Sequence, residues 1–309
     1  MFSISKIDQL QAEDIEYLGT KRKFWFTLEG KRFLFKAEER GTGEDWAEKV
    51  VCELARRLGL PHVEYELAHG YEDQKPIQPG VICPTCVPRP LALVMGNQLL
   101  YVRDPAYPVA SEEKYGVSAH TVDAVAAVIP GLKLKLPTPE WMQRTPAGIT
   151  TALGVFTGYV MLDAWVANQD RHHQNWGAIL DGGVLYLAPT YDHGSSLARN
   201  LTDEDRKDRL QTSDKNRTVE YFAGKARSGF FKNRQDKKTM FTLDVFRHFA
   251  QLEPGAAKIW LEKLNGIGSD VVDGILAEVP PQRMTPITRQ FTLELLNINQ
   301  RRLLLEFLS

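Results

Sequence analysis

Apolar and polar residues alternate between residues 15 and 36, and from residue 44 the apolar positions recur at helical spacing instead. The alternation predicts strands over 15–18, 23–27 and 32–36, joined by Gly19-Thr20-Lys21-Arg22 and by a turn at Glu29-Gly30, so that this stretch reads as a three-strand meander. Because neighbouring side chains on a strand point to opposite faces, Lys36 shares a face with Leu34 and opposes Phe33 and Phe35. After the turn residues Gly41-Thr42-Gly43, the stripe Ala47, Val50, Val51, Leu54 and Leu58 predicts a helix over 44–58. Glu44 and Asp45 in its first turn and Gly59 past its last suit the helix dipole and the helix end. Glu48 stands one turn into this helix, beside the stripe, where it can reach Lys36.

Residues 61–95 hold two further β-like pieces, 63–67 and 91–95, around a loop rich in proline. Met95-Gly96-Asn97 reads as a hinge, and the chain beyond it turns mostly helical. Residues 148–169 carry Val155, Phe156, Tyr159, Val160, Leu162, Trp165 and Val166 with no polar face wide enough for open solvent. They predict a buried central helix that delivers Asp170 from its end. Residues 176–187 predict a hairpin turning at Asp181-Gly182-Gly183, which carries the chain back and brings Asp192 near Asp170 and Asn175. Helices are expected over 243–252, 256–264, 270–279 and 287–308. The organisation is an α+β fold with a β-rich lobe over 1–97 and a helical lobe over 98–309.

Composition narrows this picture without redirecting it. The 309 residues can bury a large core, and 43% hydrophobic with 25% charged content is ordinary for a globular protein. No apolar run is long enough for a membrane helix, and the N-terminus lacks a secretory pattern, which predicts a cytosolic protein. A net charge of −1 supplies no general basic field for nucleic acid. The local basic stretch 225–238, with Phe230 and Phe231 inside it, reads as a solvated face, or alternatively as a docking surface for an acidic partner or RNA. Cys83-Pro84-Thr85-Cys86 has no second cysteine pair to complete a four-sulfur zinc site and is read as incidental, with a redox or metal role as the minor alternative.

The candidate chemistry lies in the segment Asn168-Gln169-Asp170-Arg171-His172-His173-Gln174-Asn175 and in Ala188-Pro189-Thr190-Tyr191-Asp192-His193-Gly194. Moving a phosphoryl group from ATP requires a cation on the phosphates, oxygen ligands for Mg²⁺ and a base that orients the acceptor hydroxyl. Lys36 supplies the cation with Glu48 holding it, Asp170 the base, and Asn175 with Asp192 the metal ligands. Each motif is weak alone; their order along the chain is more specific.

These residues resemble the HipA-like serine/threonine kinases, a branch of the kinase-like superfamily. The resemblance rests on Phe33-Leu34-Phe35-Lys36, Trp46-Ala47-Glu48, residues 54–61, residues 168–175 and residues 187–192, and it spans roughly 15–308. It implies a two-lobed protein-kinase-like fold, ATP and Mg²⁺ as cofactors, and transfer of the γ-phosphate to a protein serine or threonine. It also implies an antitoxin-type partner, with direct nucleic-acid binding and membrane association not expected. By the same resemblance Asp170 matches the base, Asn175 and Asp192 the metal ligands, Lys36 the phosphate-binding lysine and Glu48 its partner. Leu34, Gly19 and Thr20 complete the nucleotide-binding set. His172 stands two residues past the base, where protein kinases often carry a lysine, and is assigned to the γ-phosphate. His173 is read as structural, and Arg171 as a partner for a carboxylate such as Asp163. The glycine-rich loop is reduced to Gly19-Thr20-Lys21-Arg22, which keeps open a pseudokinase binding module. A lipid or small-molecule kinase and an AMP transferase are the enzymatic alternatives. Thr20, Thr42, Ser195 and Ser196 are candidate autophosphorylation positions.

Overall fold

The computed structural model describes residues 1–15, 22–38, 41–73, 75–108 and 116–307. Strands β1 (Ser5–Asp8), β2 (Asp14–Ile15), β3 (Lys23–Leu28), β4 (Lys31–Ala37), β5 (Glu66–Glu72) and β6 (Lys75–Pro84) form a six-stranded sheet in the order β1-β5-β6-β4-β3-β2. Within it only β1 and β5 run parallel. The period-two pattern decides what each face buries. Phe24, Phe26, Phe35 and Ile82 pack together on one face, and Val81, Cys83, Leu67 and Leu34 share the other with Cys52 and Tyr65. Lys36 therefore projects from the Leu34 face, as the alternation predicts, toward helix α1 (Glu44–Leu58). Gly59 closes α1 at φ 79°, a left-handed value that suits glycine.

Two expectations for this lobe are corrected. The strand expected over 63–67 lies instead at Glu66–Glu72, because the chain leaving α1 spends residues 61–63 on bridges to Thr190. The proline-rich loop is in fact strand β6, with Pro76 and Pro79 in its first half. The register of β4 with β6 ends at Gly80, so Pro76 lies beyond that pairing and Pro79, whose carbonyl accepts Glu38 N at 2.8 Å, stands at its end. Of the residues expected to form the first strand, 15 belongs to β2, and 16–18 lie outside the described residues, as do Gly19, Thr20 and Lys21.

Strand β7 (Ala92–Met95) pairs with β8 (Gly177–Asp181), which pairs with β9 (Val184–Leu187), so that the expected hairpin turns at Gly182 and Gly183. Helix α2 (Gly96–Arg103) starts directly after β7, at the residues read as a hinge. Then come α3 (Val122–Gly131), α4 (Pro139–Met142), α5 (Ala152–Val166), α6 (Asp203–Gln211), α7 (Val219–Ala223), α8 (Thr242–Leu252), α9 (Pro254–Asn265), α10 (Ser269–Ala277) and α11 (Pro286–Phe307). The buried run of α5 packs against α3, α8, α9 and α11, and all its residues but Leu153 are buried. A helix apolar all round must be enclosed this way. Its backbone is tied to its neighbours by Trp260 Nε1 donating to Gly154 O at 2.9 Å and Asn299 Nδ2 donating to Trp165 O at 3.0 Å. In the basic stretch Phe230 and Phe231 are core residues, and Arg227 stacks over Phe241, so the stretch is anchored by its aromatic members. None of the described helices is long and apolar enough to cross a membrane.

Candidate active site

Lys36 links the two lobes. Its Nζ donates to Glu48 Oε1 at 2.7 Å and to Asp192 Oδ1 at 2.6 Å. The other carboxylate oxygen of Glu48 accepts the backbone N–H of His193 at 2.8 Å. One buried glutamate on α1 thus holds both the strand lysine and the segment that carries Asp192. Burial acts to lower the pKa of Lys36, but Asp192 and Glu48 outweigh it and hold the ammonium well above the ordinary lysine range. Burial pushes Glu48 up, against the pull of Lys36. Asp192 itself has φ 59°, a left-handed value that is uncommon outside glycine and that aspartate tolerates better than most residues.

Residues 167–176 form a loop wired through Arg171 rather than an extension of α5. The helix ends at Val166 with Ala167 in the left-handed region, so Asp170 sits four residues beyond the helix and not at its end. Arg171, 1% exposed, donates from Nε and Nη2 to the two oxygens of Asp163, both at 2.8 Å. It also donates to Asn175 O at 2.7 Å, to Thr190 Oγ1 at 2.9 Å and to His193 Nε2 at 3.2 Å. The planar guanidinium fork suits this convergence of acceptors. One side chain therefore fixes the loop's two ends and the Asp192 segment against α5. Asn175 Nδ2 donates to Asp170 O at 2.7 Å, which orients its amide oxygen away from that carbonyl. The Asp170 carboxylate accepts Ser195 Oγ at 3.4 Å and lies 3.7 Å from His172 Nε2.

The loop is buttressed from below by aromatic and imidazole packing. His120 stacks on Phe230 at 4.3 Å, donates from Nδ1 to Gly229 O at 2.9 Å, and accepts Trp176 Nε1 at 3.2 Å. Burial pushes its pKa down to about 3, and burial likewise lowers His173, whose Nδ1 meets the Tyr107 hydroxyl, to about 4. Both are neutral in the native state, while their unfolded counterparts take up a proton near pH 6.5. Their contribution is fully present above about pH 6.5 and is lost as the pH falls toward 4 and then 3, about 1.4 kcal/mol per pH unit for each. Urea denaturation across pH 7 to 4 is expected to show this decline, and His120→Gln should reduce its slope.

Gly229 lies against the loop from the same side. A Cβ there would stand 2.7 Å from Arg171 O and 2.8 Å from His172 N, both backbone atoms with no room to yield. Gly229→Ala is expected to destabilise the fold by about 1–3 kcal/mol and to displace Asp170, read by chemical denaturation and by loss of the activity proposed below.

The predicted set is thus largely assembled. Lys36, Glu48 and Asp192 touch, Asp170 and Asn175 share one loop, and Ser195 joins that loop to the Asp192 segment. His172 is buried with Nε2 toward Asp170, and Leu34 packs in a cluster with Cys83, Tyr191 and Cys86. Gly19 and Thr20 lie outside the described residues. Sequence reasoning missed His193, His120 and Gly229, whose roles come from long-range contacts with no local signature. The donor set fits Mg²⁺: a carboxylate and a carboxamide oxygen are hard ligands that favour it. A mostly apolar cleft bordered by Leu134, Leu136, Met142 and Tyr186 contains none of these residues.

No protein-family model and no curated protein matches the chain. Among solved structures it is similar to a Helicobacter pylori proinflammatory kinase, CtkA, with a TM-score of 0.67 and 17% identity over 97% of this chain and 98% of that one. It is also similar to HipA of Shewanella oneidensis MR-1, solved with HipB and its operator DNA, with a TM-score of 0.55 and 12% identity over 94% of this chain and 65% of that one. At such identities the likeness shows the fold, and the chain has a two-lobed, HipA-like kinase fold.

Proposed function

We propose that the chain is an ATP- and Mg²⁺-dependent phosphotransferase that moves the γ-phosphate to a serine or threonine hydroxyl of a protein. The observation that carries this reading is the bridging Lys36, which joins the Glu48 carboxylate of one lobe to the Asp192 carboxylate of the other. Asn175 and Asp192 would hold Mg²⁺, which supplies charge neutralisation on the phosphates. Lys36 neutralises phosphate oxygens while Glu48 keeps its ammonium in place. Asp170 orients the acceptor hydroxyl and takes its proton, and His172 faces the transferred group from the same loop. Leu34 with Cys83 and Tyr191 offers an apolar wall for a base, and Gly19 and Thr20, outside the described residues, are assigned to the phosphates by the sequence resemblance. The partner named with HipA supports an antitoxin-type partner for this chain as well. The test is incubation with a cell lysate and ATP labelled at the γ position. Labelled protein in wild type that is lost in Asp170→Asn supports the reading. Transfer from the α position, or equal labelling by the variant, overturns it.

A further inference from the structure

Away from the Lys36 cluster, Cys52, His62 and Glu64 bring a sulfur, an imidazole nitrogen and a carboxylate oxygen within 4.8 Å of one another. Cys52 is on α1, one turn beyond Glu48, and His62 and Glu64 lie on the segment between α1 and β5. Cys52 Sγ lies 3.4 Å from Glu64 Oε2, and His62 Nε2 lies 3.4 Å from Glu64 Oε1. A tetrahedral zinc with ligand distances of about 2.0–2.3 Å has ligand–ligand edges of about 3.3–3.8 Å, so the edge from His62 Nε2 to Glu64 Oε1 is already at the required length, while Cys52 faces the other oxygen of the same carboxylate.

The His62 imidazole stands as a metal ligand would. His62 Nδ1 lies 2.6 Å from Leu60 O, a bond that makes Nδ1 the donor and leaves Nε2 with its lone pair. That Nε2 is buried and has no hydrogen-bond partner among the described residues. Tyr65 N donates to Cys52 Sγ at 3.3 Å, the kind of bond that stabilises a thiolate. Arg56 pairs with the Glu64 carboxylate and leaves its Oε1 facing His62. Cys52 and His62 are buried, whereas the Glu64 side chain is 42% exposed and gives an ion a way in.

We infer that Cys52, His62 and Glu64 form a binding site for a borderline-soft divalent ion, Zn²⁺ foremost, with water as the fourth ligand. Mixed sulfur, nitrogen and oxygen donors select zinc over magnesium. On binding, the Cys52 S–H bond breaks, the S–Zn bond forms, and the proton leaves to solvent. The ion ties α1 to the chain that runs beside Thr190, where Thr190 N donates to Pro61 O at 2.9 Å and Val63 N donates to Thr190 O at 3.0 Å. It therefore braces the helix that carries Glu48 against the segment that leads to Asp192.

The test is a Co²⁺ titration of the full chain after chelator treatment, followed by absorption and independent of any phosphoryl transfer. The expected result is a thiolate-to-cobalt charge-transfer band with tetrahedral ligand-field bands, all displaced by Zn²⁺. Cys52→Ser should lose the charge-transfer band, and His62→Gln and Glu64→Gln should weaken binding by about 10–100-fold. Should Cys52→Ser fail to fold, the half-exposed Glu64→Gln carries the test, and unchanged cobalt affinity in it overturns the proposal. No thiolate band in wild type also overturns it and leaves an ion-pair network of Arg56, His62 and Glu64 alone.

Discussion

Asp170→Asn is expected to lower the rate of phosphoryl transfer about 10²–10⁴-fold, or roughly 3–5 kcal/mol of transition-state stabilisation, while leaving the fold intact. The carboxamide keeps the size of the side chain and can still accept the Ser195 hydroxyl that lies 3.4 Å from the present carboxylate. What it loses is the negative charge and the basicity that a proton acceptor needs. The backbone carbonyl that Asn175 holds at 2.7 Å is untouched, so the loop should stay in place. Single-turnover transfer from γ-labelled ATP, with thermal unfolding as the control, checks this. A variant within threefold of wild type would remove Asp170 from the proposed chemistry.

Arg171→Met is expected to cost about 3–5 kcal/mol of folding stability, because it strands Asp163 as an uncompensated charge in the core. Asp163 is 3% exposed, and its other bond, from Asn168 Nδ2 at 2.8 Å, does not neutralise it. The same change removes donors from Asn175 O and Thr190 Oγ1, which loosens the loop and the Asp192 segment together. Arg171→Lys separates charge from geometry. An ammonium restores the charge but cannot reach these acceptors at once, so the lysine variant should recover only part of the loss. Guanidinium denaturation measures both, and a loss below about 1 kcal/mol in the methionine variant would show that the network is not what holds the loop.

The parts of the fold legible in sequence were those governed by local periodicity. Helix α1 runs over the residues its apolar stripe indicates and stops at Gly59, and β3 and β4 carry their phenylalanines on one face and Leu34 and Lys36 on the other. The β8–β9 hairpin turns where its glycines lie. Strand β6 escapes a local reading because its prolines signal a loop, and whether a strand can hold them depends on where β4 stops pairing with it, a property of a different part of the chain. Arg171 and Asp163 could be suspected as a pair, but nothing local to Arg171 indicates that it also reaches Thr190 and His193.

The sequence by itself determined which chemical groups are present, their order, and which face of each strand or helix they occupy, since side-chain direction follows from a period of two or 3.6. Only the tertiary structure decided how the charges pair. Lys36 meets a carboxylate 156 residues away, the His193 amide lands on Glu48, and Gly229 leaves room for the backbone of Arg171. These contacts depend on burial and on the packing of distant elements, which set the strength of a charge interaction and leave no periodic trace in the residues that make it.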